Sequence, residues 1–226
     1  MRKIGLIGGL AFRAGVFYYE QIQKKLGASQ PSLQLMLSHA DVSRVLSYIS
    51  AADRIGLGIY LGSLANELAD AGCEIVAISA VAPHLAISEA MKTARVPLAN
   101  ILDVIPAGLE AAGIDRVAVF GNRAVMQTNV FGAVLQQKGV PLEPNDLDWV
   151  HNTYNEIALR GKRATQPEMA DLSRLAHRLV QKNDAQAILL AGTDLSSFYA
   201  EQQPDYPFID VAQLHIDQII RLSLAE

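Results

Sequence analysis

Hydrophobic positions along the chain fall into two alternating kinds of segment. Short, nearly continuous apolar runs occur at Lys3–Ile7, Leu33–Leu37, Glu74–Ser79, Arg116–Phe120 and Gln186–Ala191. They are rich in Ile, Val and Leu and bounded by turn residues, which predicts buried strands. Longer segments at Val16–Leu26, Leu57–Ala71, Val125–Lys138 and Glu168–Lys182 place apolar residues at helical spacing and predict amphipathic helices. Strands alternating with helices imply an α/β fold of parallel sheets flanked by helices on both faces. Pro141–Asn152, with two prolines and three acids, predicts an exposed loop.

The pattern runs twice. Helix Leu57–Ala71, the turn Ala71-Gly72-Cys73, strand Glu74–Ser79 and a polar exit toward His84 form one unit. Helix Glu168–Lys182, the turn Asn183-Asp184-Ala185, strand Gln186–Ala191 and the exit Gly192-Thr193-Asp194 form another. This repetition predicts two similar α/β lobes, one from residues 1–98 plus 208–226 and one from 99–207. Pro97 and Pro106 flank the expected crossover, and Pro204 and Pro207 the return. A last helix, Val211–Ala225, is expected to pack on the first lobe. Ligands of open α/β sheets bind beyond the carboxyl ends of the strands. That rule points to Gly8–Gly15, Ser79–His84, Gly121–Thr128 and Gly192–Ser196.

Composition narrows the function classes. Half of the 226 residues are hydrophobic and 19% are charged, as expected of a folded protein with a core large enough to need no disulfide or metal. The net charge of −4, with no basic stripe or Lys/Arg block, argues against nucleic acid and anionic membrane surfaces as partners. The basic, then apolar, N-terminus is too short and too glycine-broken for a secretion signal. The run Ile75–Ile87 is too short to span a bilayer, so a cytoplasmic protein is expected. The single cysteine, Cys73, excludes an internal disulfide. His39, His84, His151, His177 and His215 show no ligand spacing, so no metal is expected. Gly5-Leu6-Ile7-Gly8-Gly9 is not GxGxxG, and no P-loop, HExxH or GxSxG is present.

Five segments together resemble one family. They are KIGLIGGLAF…YYEQI at the start, Leu68–Ile78, VAVFGNRAVMQT, Ala187–Leu195, and Phe208-Ile-Asp-Val followed by His215. The chain resembles the aspartate/glutamate racemases, cofactor-independent amino-acid racemases, nearly end to end. The resemblance implies two lobes related by a pseudo-twofold axis, a small carboxylate or amino acid bound between them, no cofactor, and a homodimer. It also implies a two-base reaction, in which one cysteine removes the α-proton and another, on the opposite face, returns one. Cysteine suits this work because its pKa of about 8.5 can be drawn toward neutrality.

Both cysteines are replaced. The family's C-N-T-x-H reads Ala80-Val81-Ala82-Pro83-His84 here, and the second cysteine falls at Gly192. Each positioned acid–base group is worth roughly 10²–10⁴-fold, so two-cysteine racemisation is not expected. Val81 and Ala82 replace residues that help hold the substrate carboxylate, and Ala11, Ala14 and Gly15 replace hydroxyl residues near the glycine turn. Cys73, placed before its strand, is no substitute. The resemblance leaves Asp194 and His84 as candidate acid–base groups. Asp194 reads also as the cap of a helix starting at Leu195, the reading preferred here, and His84 as a packed histidine after Pro83. The candidate binding positions are Gly8, Gly9, Arg13, Ser79, Val81, Ala82, Asn122, Arg123, Thr128 and Thr193. Ser79 reads also as a strand-end serine bonded to backbone, and Asn122 as an N-cap. His215, Trp149, Tyr154 and Tyr199 read as core or loop anchors. Two functions follow: an isomerase or lyase using other bases, and a metabolite-binding or regulatory protein without turnover.

Overall fold

A computed structural model describes residues 1–10, 13–27, 32–127, 129–132, 136, 138–160, 165–199 and 203–225. Ala11 and Thr128 lie outside them. The chain forms two compact units, 1–101 with 215–226 and 102–214.

The first unit is built on a parallel sheet of β1 (Ile4–Gly8), β2 (Leu35–His39), β3 (Ile75–Ile78) and β4 (Leu98–Ala99), in the order β2-β1-β3-β4. Ile4 lies opposite both Leu35 and Ile75. Helices α1 (Ala14–Leu26), α2 (Val42–Ser50), α3 (Arg54–Asp70) and α4 (Ile87–Thr93) connect the strands, with a 3₁₀ turn at Ala82–Ala86 before α4. β1 and β3 are buried at every position, as their continuous apolar sequences predict. β2 is not the buried strand that the pattern predicts. It is an edge strand, paired only with β1 among the described strands, and Met36 and Leu37 are 36% and 43% exposed. Between β1 and α1 the chain turns at Gly9, whose φ of 77° and whose nearness to Ala40 O, 2.8 Å from where a Cβ would sit, both demand glycine.

The second unit holds a parallel sheet of β5 (Val117–Phe120), β6 (Ala187–Leu190) and β7 (Phe208–Asp210), in that order. Its helices are α5 (Val104–Ala111), α6 (Arg123–Gln127), α7 (Pro144–Arg160), α8 (Gln166–Lys182) and α9 (Thr193–Tyr199). The last helix, α10 (Val211–Leu224), belongs to the first unit from His215 onward. The return at 208 expected from the sequence therefore shifts to 215, because β7 pairs with β6. Phe120, Leu172, Leu179, Ile188, Leu190 and Tyr206 form the unit's core. α8 starts with a capping box, in which Thr165 and Glu168 each satisfy the other's backbone N–H.

The helix expected over Val125–Lys138 is interrupted: α6 ends at Gln127, a 3₁₀ turn follows at Asn129–Phe131 with Gly132 at φ 55°, and Gln136 and Lys138 are helical again. The loop expected at Pro141–Asn152 is largely α7. Pro144 is the first helical residue, where its missing N–H costs nothing, and Asp146 favours the helix start. Val150, Tyr154 and Ile157 then bury one stripe at helical spacing.

α3 and α4 touch through glycines. A Cβ on Gly58 would meet Glu89 Cβ at 2.3 Å and Ala90 N at 3.0 Å. Because backbone cannot swing aside, Gly58→Ala is expected to lower stability by roughly 1–3 kcal/mol in urea unfolding. An unchanged midpoint would contradict this close packing.

Candidate active site

In the second unit, β6 leaves the sheet through Ala191 and Gly192 into α9. Ala191 N–H donates to Phe120 O at 2.8 Å, so the ends of β5 and β6 stay level. Leu195 N–H donates to Gly192 O at 2.8 Å, which starts the helix at Thr193. Asp194 therefore lies inside the first turn rather than capping a helix that begins at Leu195. It is 3% exposed, and its Oδ2 accepts a 3.1 Å hydrogen bond from the Tyr154 hydroxyl of α7.

Tyr154 also governs the backbone below that bond. A Cβ built on Gly192 would lie 2.3 Å from Tyr154 Cε2 and 3.0 Å from Cδ2 and Cζ. Real Cβ atoms do not approach so closely, so the ring occupies the space that a side chain at 192 would need. Burial and, after it, the Asp194 charge push the Tyr154 phenol well above its ordinary pKa. It stays protonated at neutral pH and serves as a hydrogen-bonding group, not a base.

At the neighbouring end of β5, Asn122 Oδ1 accepts the Val125 N–H at 3.0 Å, which supports its reading as a cap. Arg123 turns its guanidinium to Asp148 Oδ1 at 2.6 Å, and its backbone N–H donates to His151 Nδ1 at 3.0 Å. Burial, then Arg123, lowers the His151 pKa.

In the first unit, β3 is followed by Ser79, whose hydroxyl donates to Ile7 O at 3.0 Å. That is the backbone-bonded serine of the bland reading. Gly8 and Gly15 lie beside it: a Cβ on Gly15 would be 3.3 Å from Gly8 Cα and 3.8 Å from Ser79 Oγ. Ala80, Val81 and Ala82 are buried and offer only methyl groups. Arg13, half-buried, precedes α1 and makes no side-chain cap bond.

His84, 1% exposed, sits in the 3₁₀ turn with Nδ1 2.8 Å from Ala80 O. A carbonyl only accepts, so Nδ1 carries the proton and Nε2 is left as a lone pair. That Nε2 is buried with no hydrogen-bond partner among the described residues. The ring meets His215 edge-on at 5.7 Å. By the same logic His215 Nε2–H donates to Ala99 O at 3.0 Å, and Nδ1 accepts from the Tyr18 hydroxyl at 2.9 Å. Burial lowers the His84 pKa to about 4. Burial, with His84 opposite, lowers that of His215 to about 3. Both rings are neutral at pH 7.

Thus each unit gathers its own strand-end residues: Gly8, Ser79, Ala80 and His84 in the first, and Asn122, Arg123, Gly192, Thr193 and Asp194 in the second. Sequence reasoning missed the functional weight of Tyr154, Tyr18 and His151. Tyr154 and Asp194 are 40 residues apart and Tyr18 and His215 are 197 apart, so no local spacing marks either pair. Cys73 is buried ahead of β3, away from the strand's carboxyl end, and burial raises its pKa. No group of three or more His, Cys, Asp or Glu is placed to hold a metal ion among the described residues. Nor is any helix among them long and apolar enough to cross a membrane.

The chain is thus an α/β protein of parallel sheets flanked by helices, with glycine turns and buried polar groups at the carboxyl ends of its strands. Residues 7–219 match the family model for Asp/Glu/Hydantoin racemase, and the chain belongs to that family. Among solved structures, it is similar to a candidate Asp/Glu racemase from Yersinia pestis (20% identity, 100% of each chain, TM-score 0.83). It is similar also to an aspartate racemase homologue from Pyrococcus horikoshii OT3 (19% identity, 100% of each chain, TM-score 0.81). A glutamate racemase from Francisella tularensis subsp. tularensis SCHU S4, in complex with D-glutamate, aligns over 98% of this chain and 80% of its own, with 13% identity and a TM-score of 0.63.

The two neutral histidines carry a pH dependence. Unfolded histidine binds its proton near pH 6.5, whereas these bind only near 4 and 3. Between those limits the unfolded chain holds more protons, so stability is complete above about pH 6.5 and falls as pH drops toward 4. His84 alone accounts for about 3 kcal/mol of that loss. His84→Asn, which can keep the bond to Ala80 O, is expected to flatten the slope of urea midpoint against pH from 6.5 to 4. A slope equal to wild type would contradict the buried neutral assignment.

Proposed function

We propose that this chain binds a small carboxylate or amino acid at the carboxyl ends of its strands and does not exchange the α-proton by a two-thiol route. The observation that carries this reading is the end of β6, where Gly192 has no side chain and Tyr154 fills the space for one. Ala80 matches it in kind, with a methyl where the family resemblance expects a thiol. Neither position holds a transferable proton. His84 is a poor replacement base, because burial holds its pKa near 4. Family membership and the glycine turn at Gly8–Gly9 support a ligand of the family's size. Arg13, Ser79, Val81 and Ala82 in the first unit, and Asn122, Arg123 and Thr193 in the second, are the strand-end positions that this reading assigns to ligand binding. In this reading the protein is a cytoplasmic homodimer that needs no cofactor.

A second reading keeps turnover, as an isomerase or lyase using Asp194 and His84. The buried Tyr154–Asp194 bond and the unpartnered His84 Nε2 favour it. The two readings separate in D₂O. The protein is incubated with D- and L-aspartate and glutamate while NMR follows the α-proton and thermal shift follows binding. Thermal stabilisation with no deuterium incorporation is expected. Incorporation that is abolished by Asp194→Asn or His84→Asn would overturn the non-catalytic reading.

A further inference from the structure

Exposed apolar surface is concentrated in the first unit. Among the described residues, every exposed large hydrophobic side chain belongs to it and none to the second unit. Six of them flank the outer edge of β2: Val16 and Tyr19 on α1, Met36 and Leu37 on β2 itself, and Val42 and Leu46 on α2, each between 36% and 53% exposed. Leu37 Cδ1 lies 3.3 Å from where a Cβ on Gly15 would stand, which sets the start of α1 beside the strand. On α2, Val42, Val45, Leu46 and Ile49 form an apolar stripe, yet only Val45 is buried. The helix turns Arg44 onto the Tyr60 ring of α3, 4.4 Å from its centroid, and α3 packs across β1 and β2. The stripe lies on the other side of α2 and continues the edge of the sheet.

The backbone of that edge is open as well. Ile4 N–H donates to Gln34 O at 3.0 Å and Ala40 N–H to Gly8 O at 2.9 Å, so alternate residues from Gln34 to Ala40 turn their backbone toward β1. The N–H and C=O groups of Leu35, Leu37 and His39 then point outward, where no described strand lies. Leu35–His39 has no lysine, proline or bulge, the usual guards of an edge strand. The opposite edge of the sheet, β4, is only two residues long. No stretch of the chain outside the described residues exceeds four residues, so a strand that matches β2 must come from another chain. We propose that two copies of this chain join through β2, antiparallel about a twofold axis at Leu37, so that their sheets become one. This interface rests on the homodimer reading given above and gives that dimer its location. The axis sets Leu37 against its own equivalent and Leu35 against the equivalent of His39. These are the outward-facing residues, so each pair exchanges two hydrogen bonds. The six flanking side chains expose on the order of 500 Å², about what an interface of ~800 Å² per partner needs when ~65% of it is apolar. One long edge per chain closes the assembly at two copies.

Sedimentation velocity on the full chain over a range of concentrations reads the association, and hydrogen exchange reads the strand. Wild type is expected to be a dimer in which the amides of Leu37 and His39 exchange slowly. Leu46→Lys places a charge in the stripe, and Leu35→Pro removes an outward N–H at the first position of an edge strand, where proline is tolerated. Each is expected to raise the dimer dissociation constant at least tenfold and to release the protection of Leu37 and His39. Ile59→Lys, at a 55% exposed position on the solvent face of α3, is expected to change neither. Leu46→Lys carries the test if circular dichroism shows that Leu35→Pro does not fold. A wild-type dimer that Leu46→Lys leaves intact, or that Ile59→Lys dissociates, overturns this interface alone. A monomeric wild type overturns the homodimer reading and this interface with it.

Discussion

Two groups cannot share the volume at the end of β6, and much of the chemistry of the second unit follows from which one holds it. The Tyr154 ring lies 2.3 Å from where any Cβ on Gly192 would stand. Strand β6 can therefore end only in a glycine while that ring is present. The tyrosine comes with α7, and α7 in turn is held by the core stripe of Val150, Tyr154 and Ile157. The same packing that anchors a helix thus determines which functional group stands at the mouth of the strand. It is a phenol bonded to a carboxylate, where the family resemblance expects a thiol.

The first unit reaches a comparable state by another route. Its strand end carries Ala80, and the polar groups behind it are two histidines kept neutral by burial. Tyr18, His215 and the Ala99 carbonyl form a hydrogen-bonded chain in which every proton position is determined by its neighbours. That chain joins α1 and α10 to the end of β4, so the last helix is tied to the first unit by buried polar contacts as well as apolar ones. A buried network of this sort costs stability whenever one member is missing or charged. Its natural use is to hold a single arrangement of the surrounding turns, the 3₁₀ turn of His84 among them.

Much of the fold was legible because it rests on local patterns. β1, β3, β5 and β6 are short buried strands, and short apolar runs between turn residues announce them. β2 carries a similar run but lies at an edge, and nothing in a run of Leu and Met tells an edge from a centre. α7 was hidden by its own start signals, since Pro144 and its acidic neighbours read as loop until the buried stripe beyond them is seen. For the candidate site, the strand-end positions were legible, because the topology rule and the family resemblance both point there. Its partners were not. A glycine at 192 says that a side chain is absent, but only the folded chain shows that a tyrosine 38 positions earlier in sequence has taken the room. Likewise His215 reads as core until Tyr18 and Ala99 define both of its nitrogens.

The Tyr154 ring, and not an empty space, faces Gly192. A double-mutant cycle on stability addresses it directly. Gly192→Ala should destabilise the wild-type chain by roughly 1–3 kcal/mol, as overpacking does. In a Tyr154→Ala background, where the ring is gone, the same methyl should cost close to nothing. If Gly192→Ala costs the same in both backgrounds, the ring does not hold that space and the account given for the end of β6 is wrong.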